Sequence, residues 1–355
     1  MRKLIGFIVT LAVFTACKTA NTSEQVDETT QKADFGTLEI HRAFKSEFFH
    51  SRDINVWLPE DYSTEKKYAV LYMHDGQMLF DKNTSWNRQS WNVDSVATAV
   101  QSDNRTRPFI VVGIDNHPEG RLFDYMPRKA LDYIPEGDTL LAKYDLKEFI
   151  ADDYLKFIVK ELKPFIDKTY STLTNAENTF TMGSSRGGLI SMYAICEYPD
   201  VFGGAGCIST HVPMVLNGSK EEAPIWAKAF RDYLNDKLPE TNSRLIYMDR
   251  GDKTIDEFYL PFQPLIDELF YAKGWDKEHF DTQAFPGHAH DENSWESRLH
   301  IPLTFLMKNK IKNCPERQFF YRYYFTFHSK PSLVSFTSKP ISARRLRIKS
   351  LVVQS

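Results

Sequence analysis

The run Phe180-Thr181-Met182-Gly183-Ser184-Ser185-Arg186-Gly187-Gly188-Leu189 places an apolar, strand-like stretch before a G-x-S-x-G pattern, and the helix-like LISMYAICEYP follows it. Small residues two before and two after the serine are what a sharp strand-to-helix turn requires, because larger side chains collide where the backbone reverses. Such a turn lifts the Ser185 hydroxyl clear of a sheet. It also aims the amide of Arg186 and the positive end of the following helix at the same point, where a developing oxyanion would be stabilised. The chemistry this predicts is nucleophilic acyl transfer.

A serine hydroxyl is a weak nucleophile until an imidazole takes its proton and a carboxylate fixes that imidazole's tautomer. Around a turn of this kind the acid and the histidine follow the serine in that order. Downstream lie His211, His279, His288, His290, His300 and His328. Of these, the segment FPGHAHDEN at 285–293 has the form of a strand ending in a turn before a helix. His290, at the tip nearest the helix start, is preferred to His288. For the acid, the loop after Leu245-Ile246-Tyr247-Met248 offers Asp249, Asp252, Asp256 and Glu257. Asp249 falls within the strand and Glu257 opens a helix, so Asp252 and Asp256 both stay open. HAHDE also sets two histidines beside two carboxylates, but no third ligand cluster accompanies it, so no metal is expected. Acyl transfer by such a set needs no cofactor.

These residues need a rigid frame. From residue 36 apolar runs alternate with helical patterns, the signature of a parallel sheet covered on both faces, and the fold class is α/β. Strands are expected at Ile54–Leu58, Tyr68–Met73, Phe109–Ile114, Thr179–Met182, Gly204–Ile208, Leu245–Met248 and Phe280–Phe285. YAVLYM and FIVVGI are apolar throughout, as central strands buried on both faces are. The clearest helix runs from Leu146 to Leu162, with Pro164 marking its end or a kink. Asp132–Asp145 reads as an insertion near the top of the sheet.

The ends differ from this body. Arg2 and Lys3 precede an apolar run, Leu4–Phe14, and Thr15-Ala16-Cys17, so residues 1–17 read as a targeting segment too short to span a membrane. The small-small-Cys ending resembles the bacterial lipobox, which implies cleavage before Cys17 and lipid on its sulfur. Phe14 stands where Leu or Val is usual, and a plain secretory signal is the alternative. Residues 18–35 are polar and are expected to form a flexible tether. From 308 to 355 there are eleven Lys or Arg and a single acidic residue, Glu316, around the aromatic run FFYRYYFTF. That stretch is expected to be a tail outside the α/β body at 36–307, and salt-sensitive binding of nucleic acid or anionic lipid through it is the rival reading. A net charge of −3 over 355 residues gives no global reason to expect a nucleic-acid partner. Cys196, Cys207 and Cys314 match no zinc or disulfide framework, so buried thiols are expected for the first two.

Taken together, RDINVWLPEDY, YAVLYMHDGQMLFD, VVGIDN, DDYLKFIVKELKPFID, MGSSRGGL, YPDVFGGAGCISTH and FPGHAHDENSWESRLHIPLTFL resemble the esterase branch of the α/β hydrolases that includes feruloyl esterases, enterochelin esterases and esterase D. The resemblance implies the α/β-hydrolase fold and a Ser-His-Asp triad. It puts the backbone N–H of Gln77, in His74-Asp75-Gly76-Gln77, beside that of Arg186 as the oxyanion hole. The family's P-G-x-x-H pattern falls on Pro286, Gly287 and His290, and its loop pattern favours Asp256 as acid with Asp252 as the alternative. By the same resemblance His74, Asp75, Trp86, Trp91, Arg121 and Tyr125 border the substrate cleft, though packing accounts equally well for the two tryptophans. Feruloyl or acetyl esters of polysaccharide are the expected substrates of a lipid-anchored protein of the bacterial cell envelope. A siderophore trilactone is the second reading, and a non-catalytic carbohydrate-binding surface protein is a third. Nothing in the sequence sets the oligomeric state.

Overall fold

The computed structural model describes residues 28–309 apart from positions 103, 118, 137–139 and 216–218. The targeting segment, Cys17, Cys314 and the basic stretch from 310 lie outside the described residues. Contacts divide the chain after Asn309, two residues beyond the expected boundary.

Nine strands form one sheet: β1 (Glu28–Lys32), β2 (Thr37–Phe44), β3 (Arg52–Leu58), β4 (Ala69–His74), β5 (Phe109–Ile114), β6 (Thr179–Ser184), β7 (Gly204–Ile208), β8 (Leu245–Arg250) and β9 (Phe280–Ala284), in the spatial order β1-β2-β3-β5-β4-β6-β7-β8-β9. The first three strands and the β3–β5 pair are antiparallel. Every pair from β5 through β4, β6, β7 and β8 to β9 is parallel. The helices are α1 (Val93–Ser102), α2 (Arg121–Asp124), α3 (Ala151–Phe157), α4 (Lys163–Thr169), α5 (Arg186–Glu197), α6 (Ala223–Lys237), α7 (Ile255–Tyr259), α8 (Gln263–Ala272), α9 (Glu292–Arg298) and α10 (His300–Leu306). All the expected strands are present within two residues at either end, and the class is α/β as read.

The two faces explain the unbroken apolar runs. In β4, Val70 and Tyr72 join one core while Ala69, Leu71 and Met73 join the other; in β5, Ile110, Val112 and Ile114 oppose Phe109 and Val111. Strand side chains alternate between faces, so a strand covered on both must be apolar at every position. Cys196 and Cys207 are buried free thiols.

Two expectations require correction. Glu28–Lys32, within the expected 18–35 tether, is a strand that pairs antiparallel with β2, so backbone ladder bonds order a segment whose side chains are polar. Of the expected Leu146–Leu162 helix, Leu146–Glu148 is a separate 3-10 turn closed by extended Phe149, the α-helix starts at Ala151, and Pro164 does not end it. A π-helical stretch, Ile158–Leu162, joins α3 to α4, and the wider turn accommodates a proline that cannot donate to the helix ladder.

Candidate active site

Ser185, the Asp252–Asp256 loop and the His288–His290 loop follow β6, β8 and β9, at the carboxyl edge where open α/β sheets bind ligands. Ser185 follows β6 and caps α5 with φ 55° and ψ −117°. That conformation is strained for a residue with a side chain and is typical of functional turns. The turn is held by Ser185 N–H to Ile208 O at 2.8 Å, and by Leu189 N–H and His211 N–H to Ser185 O at 3.1 Å each. Gly183 is obligatory here: a Cβ on it would stand 2.8 Å from the Gly187 carbonyl carbon. At Gly187 a Cβ would find ordinary contact distances, so the second glycine of the pattern is less constrained than the first.

His290, in the loop between β9 and α9, is bonded through Nδ1 to Asp256 Oδ1 at 2.6 Å, and its amide donates to Thr254 Oγ1 at 2.8 Å. Among the described residues Nε2 is engaged by neither bond. It is therefore available to a proton from outside the pair. Asp256, on α7, also accepts from Ser209 Oγ at 2.7 Å and Gly251 N–H at 2.6 Å through Oδ2. Burial alone raises a carboxyl pKa, but the bonds and charge from His290, Ser209 and Gly251 outweigh it and hold Asp256 below its ordinary value. Asp252 is turned elsewhere, accepting from the Gly287 amide at 2.8 Å. His288 contacts Arg298 through Nδ1 at 3.3 Å.

A further layer behind Asp256 was not legible in the sequence. Ser209 Oγ accepts from Trp295 Nε1 at 3.0 Å and Arg298 Nη2 at 2.9 Å, which fixes its own proton toward Asp256. Arg298 in turn pairs with Asp249 at 3.0 Å, both side chains buried. The His290 ring lies between Tyr259 and Trp295, edge to face with each, at centroid separations of 5.6 and 5.0 Å. Tyr259 was also missed. His211 Nε2 sits 2.9 Å from the Val215 carbonyl, which can only accept, so Nε2 carries the hydrogen and bare Nδ1 accepts the Tyr259 hydroxyl at 2.7 Å. Burial, with Arg186 nearby, keeps His211 neutral by lowering its pKa far below 6.5. The Tyr259 oxygen thus presents lone pairs alone to its surroundings, which include Ser185 and Arg186. A sequence signal for these residues is faint: only their positions after β7, β8 and β9 mark them.

On the opposite wall, Gly76–Met78 forms a 3-10 turn whose own bonds run from Met78 N–H to Asp75 O and Leu79 N–H to Gly76 O, leaving the Gln77 amide out. The Arg186 amide is likewise among the unpaired first N–H groups of α5. Gln77 Oε1 accepts from Asn116 N–H at 3.1 Å, and Asp75 takes Arg121 in a two-pronged bond at 2.7 Å per arm and Asn116 Nδ2 at 2.6 Å. Burial opposes ionisation of Asp75, but Arg121 and Asn116 prevail and its pKa is lowered. Asp115, beneath this pair, is raised to about 7 by burial and by Asp53.

Three expected cleft residues do not border the cleft. His74 is buried, bonded to Tyr154 Oη at 2.7 Å and Thr181 Oγ1 at 3.1 Å, with burial pulling its pKa down to about 3. Tyr125 is fully buried against the His74 and Tyr154 rings. Trp91 is 3% exposed and packs on Trp295 at 5.3 Å, so it holds the histidine loop's helix rather than a ligand. Each belongs to a core that the strand ends continue into. Trp86, by contrast, is 83% exposed, on a loop tied to α9 through Asn87 Nδ2 and Glu292 Oε2 at 2.6 Å. Among the described residues no group of three or more His, Cys, Asp and Glu is arranged to hold a metal ion.

The family model described as "Putative esterase" matches residues 46–300. The chain belongs to that esterase family. Among curated relatives, the uncharacterized protein YbbA of Bacillus subtilis is 29% identical over 175 residues, covering 49% of this chain and 60% of that protein. An endo-1,4-beta-xylanase/feruloyl esterase of Xylanibacter ruminicola is 27% identical over 180 residues, covering 47% of this chain and 21% of that one. The chain thus spans 60% or less of these relatives' length. Among solved structures, the enterobactin esterase of Shigella flexneri superposes with a TM-score of 0.55 at 19% identity, covering 78% of this chain and 60% of the other. A CE1 ferulic acid esterase of Anaeromyces mucronatus gives 0.52 at 18% identity, covering 78% and 93%. Likeness at that identity bears on the fold, which is that of the α/β-hydrolase esterases.

Proposed function

We propose that this chain is a serine carboxylic-ester hydrolase in which Ser185 attacks the ester carbonyl, His290 is the general base and Asp256 orients the imidazole. The observation that carries the reading is the 2.6 Å His290–Asp256 bond, held in a layer of fixed donors, on the loops that flank a strained Ser185. The Asp256 bond places the hydrogen on Nδ1 and leaves Nε2 to take the serine proton. The alcohol departs with that proton. Water activated by the same nitrogen then releases the acid from Ser185. The Gln77 and Arg186 amides receive the oxyanion, each worth on the order of 3 kcal/mol in the transition state.

The preferred substrate class is an acylated polysaccharide carrying feruloyl or acetyl groups. The family membership supports an ester, and the exposed indole of Trp86 supports a sugar or aromatic platform at the rim. A relative described as a xylanase/feruloyl esterase is consistent with it. Siderophore trilactones are the second substrate class, and a panel of methyl ferulate, acetylated xylan and an iron-loaded trilactone separates them. Anchoring through lipid on Cys17 completes the proposal, and incorporation of labelled palmitate lost in Cys17→Ser tests it. For the chemistry, Ser185→Ala is expected to abolish hydrolysis of an aryl acetate while the thermal melt barely moves; activity retained by that variant overturns the assignment.

A further inference from the structure

Three arginines around the site are matched with acids: Arg121 with Asp75, Arg298 with Asp249, and Arg52 with Asp124 at 3.5 Å. Arg186 departs from this pattern. Its Nη2 donates to the Val215 carbonyl at 2.7 Å, its Nη1 is buried without a partner, and no carboxylate among the described residues pairs with it. Burial and the charge of Arg121 lower its pKa to about 10, which still leaves it a cation at neutral pH. Its electrostatic surroundings include Tyr259 and Arg121, and neither brings a negative charge: burial raises the Tyr259 pKa and keeps that hydroxyl neutral. A charge withdrawn from water and left unmatched is costly, and the sequence carries that cost on the residue next to the nucleophile. Guanidinium groups bind carboxylates with strong, directional hydrogen bonds, and in a site of low dielectric such a bond discriminates sharply.

We propose that the Arg186 guanidinium receives a carboxylate of the substrate, so that the ester cleaved at Ser185 carries an anionic group on its acyl or its sugar part. This rests on the serine-esterase reading and deepens it: an acidic acyl chain or an esterified uronate fits the site better than a neutral ester of the same shape. The charge of Arg121, already cancelled by Asp75, leaves Arg186 to set the sign.

The test uses two matched pairs: 4-nitrophenyl hemisuccinate against 4-nitrophenyl butyrate, and acetylated glucuronate against acetylated glucose. The quantity read is the ratio of kcat/KM for the charged over the neutral member, taken within each variant so that a general loss cancels. The wild type is expected to prefer the anionic member of at least one pair by about tenfold or more, as a charged hydrogen bond implies. That preference should collapse in Arg186→Gln, survive in part in Arg186→Lys and shrink as salt is raised. A wild-type ratio near one in both pairs overturns the proposal, and so does a preference unchanged in Arg186→Gln. Equal loss on charged and neutral esters with the ratio intact means the side chain acts on the reacting centre, which also overturns it. If the wild type hydrolyses none of the four esters, the serine-esterase reading has failed instead. Thermal melts of both variants show that the fold is retained.

Discussion

Asp256 and Asp252 are four residues apart, and their environments separate them sharply. Asp256 is buried with three donors on its carboxylate, whereas Asp252 caps the Gly287 amide at the surface. Asp256→Asn is expected to lower kcat by about 10³- to 10⁴-fold, because an amide there favours the wrong imidazole tautomer. Asp252→Asn should stay within about threefold of wild type, since its carboxylate touches no reacting group; aryl acetate kinetics on both variants checks this. His74 is a residue whose effect is on stability. Neutral when folded with a pKa of about 3, it is protonated below about 6.5 when unfolded, so its contribution is present above that value and lost as pH falls toward 3. The stability advantage of wild type over His74→Gln should therefore shrink by about 1.4 kcal/mol per pH unit between about pH 6 and 4, read by urea melts. The strand-to-helix turn at Ser185 and the loop that carries His290 were legible because glycine spacing and chain order constrain them. His74, Tyr125 and Trp91 were misread as cleft residues because adjacency in sequence to a strand end does not say which side of the backbone faces the ligand.

At the scale of elements, the turn at Ser185 depends on Gly183 and the histidine loop depends on α9. Gly183→Ala forces a Cβ to within 2.8 Å of the Gly187 backbone and is expected to cost about 1–3 kcal/mol, lowering the thermal midpoint and activity together. Arg298→Met strands Asp249 as a buried carboxylate and removes a donor from Ser209. Breaking a buried pair in this way costs about 3–5 kcal/mol, and calorimetry on the variant measures it. The parallel strands were readable from continuous apolar runs. β1 was not, since ETTQK has no apolar pattern and is ordered by pairing with β2 alone. The π-helical joint before Pro164 was equally opaque, because proline marks a lost hydrogen bond but not how the helix absorbs it.

Over the whole molecule, one sheet gathers six loops at its carboxyl edge, and the exposed Trp86 stands on one of them. Trp86→Ala is expected to lower kcat/KM on feruloylated or acetylated polysaccharide by about three- to tenfold while leaving 4-nitrophenyl acetate hydrolysis within twofold, as loss of one aromatic contact implies. Equal effects on both would place the indole outside substrate contact. The proposed chemistry turns on Ser185 as a nucleophile activated by His290. Mass spectrometry after reaction with a fluorophosphonate tests it most directly. A single adduct on Ser185 is expected, absent from Ser185→Ala and formed far more slowly in His290→Ala; no adduct on the folded wild type, or one on another residue, overturns the assignment.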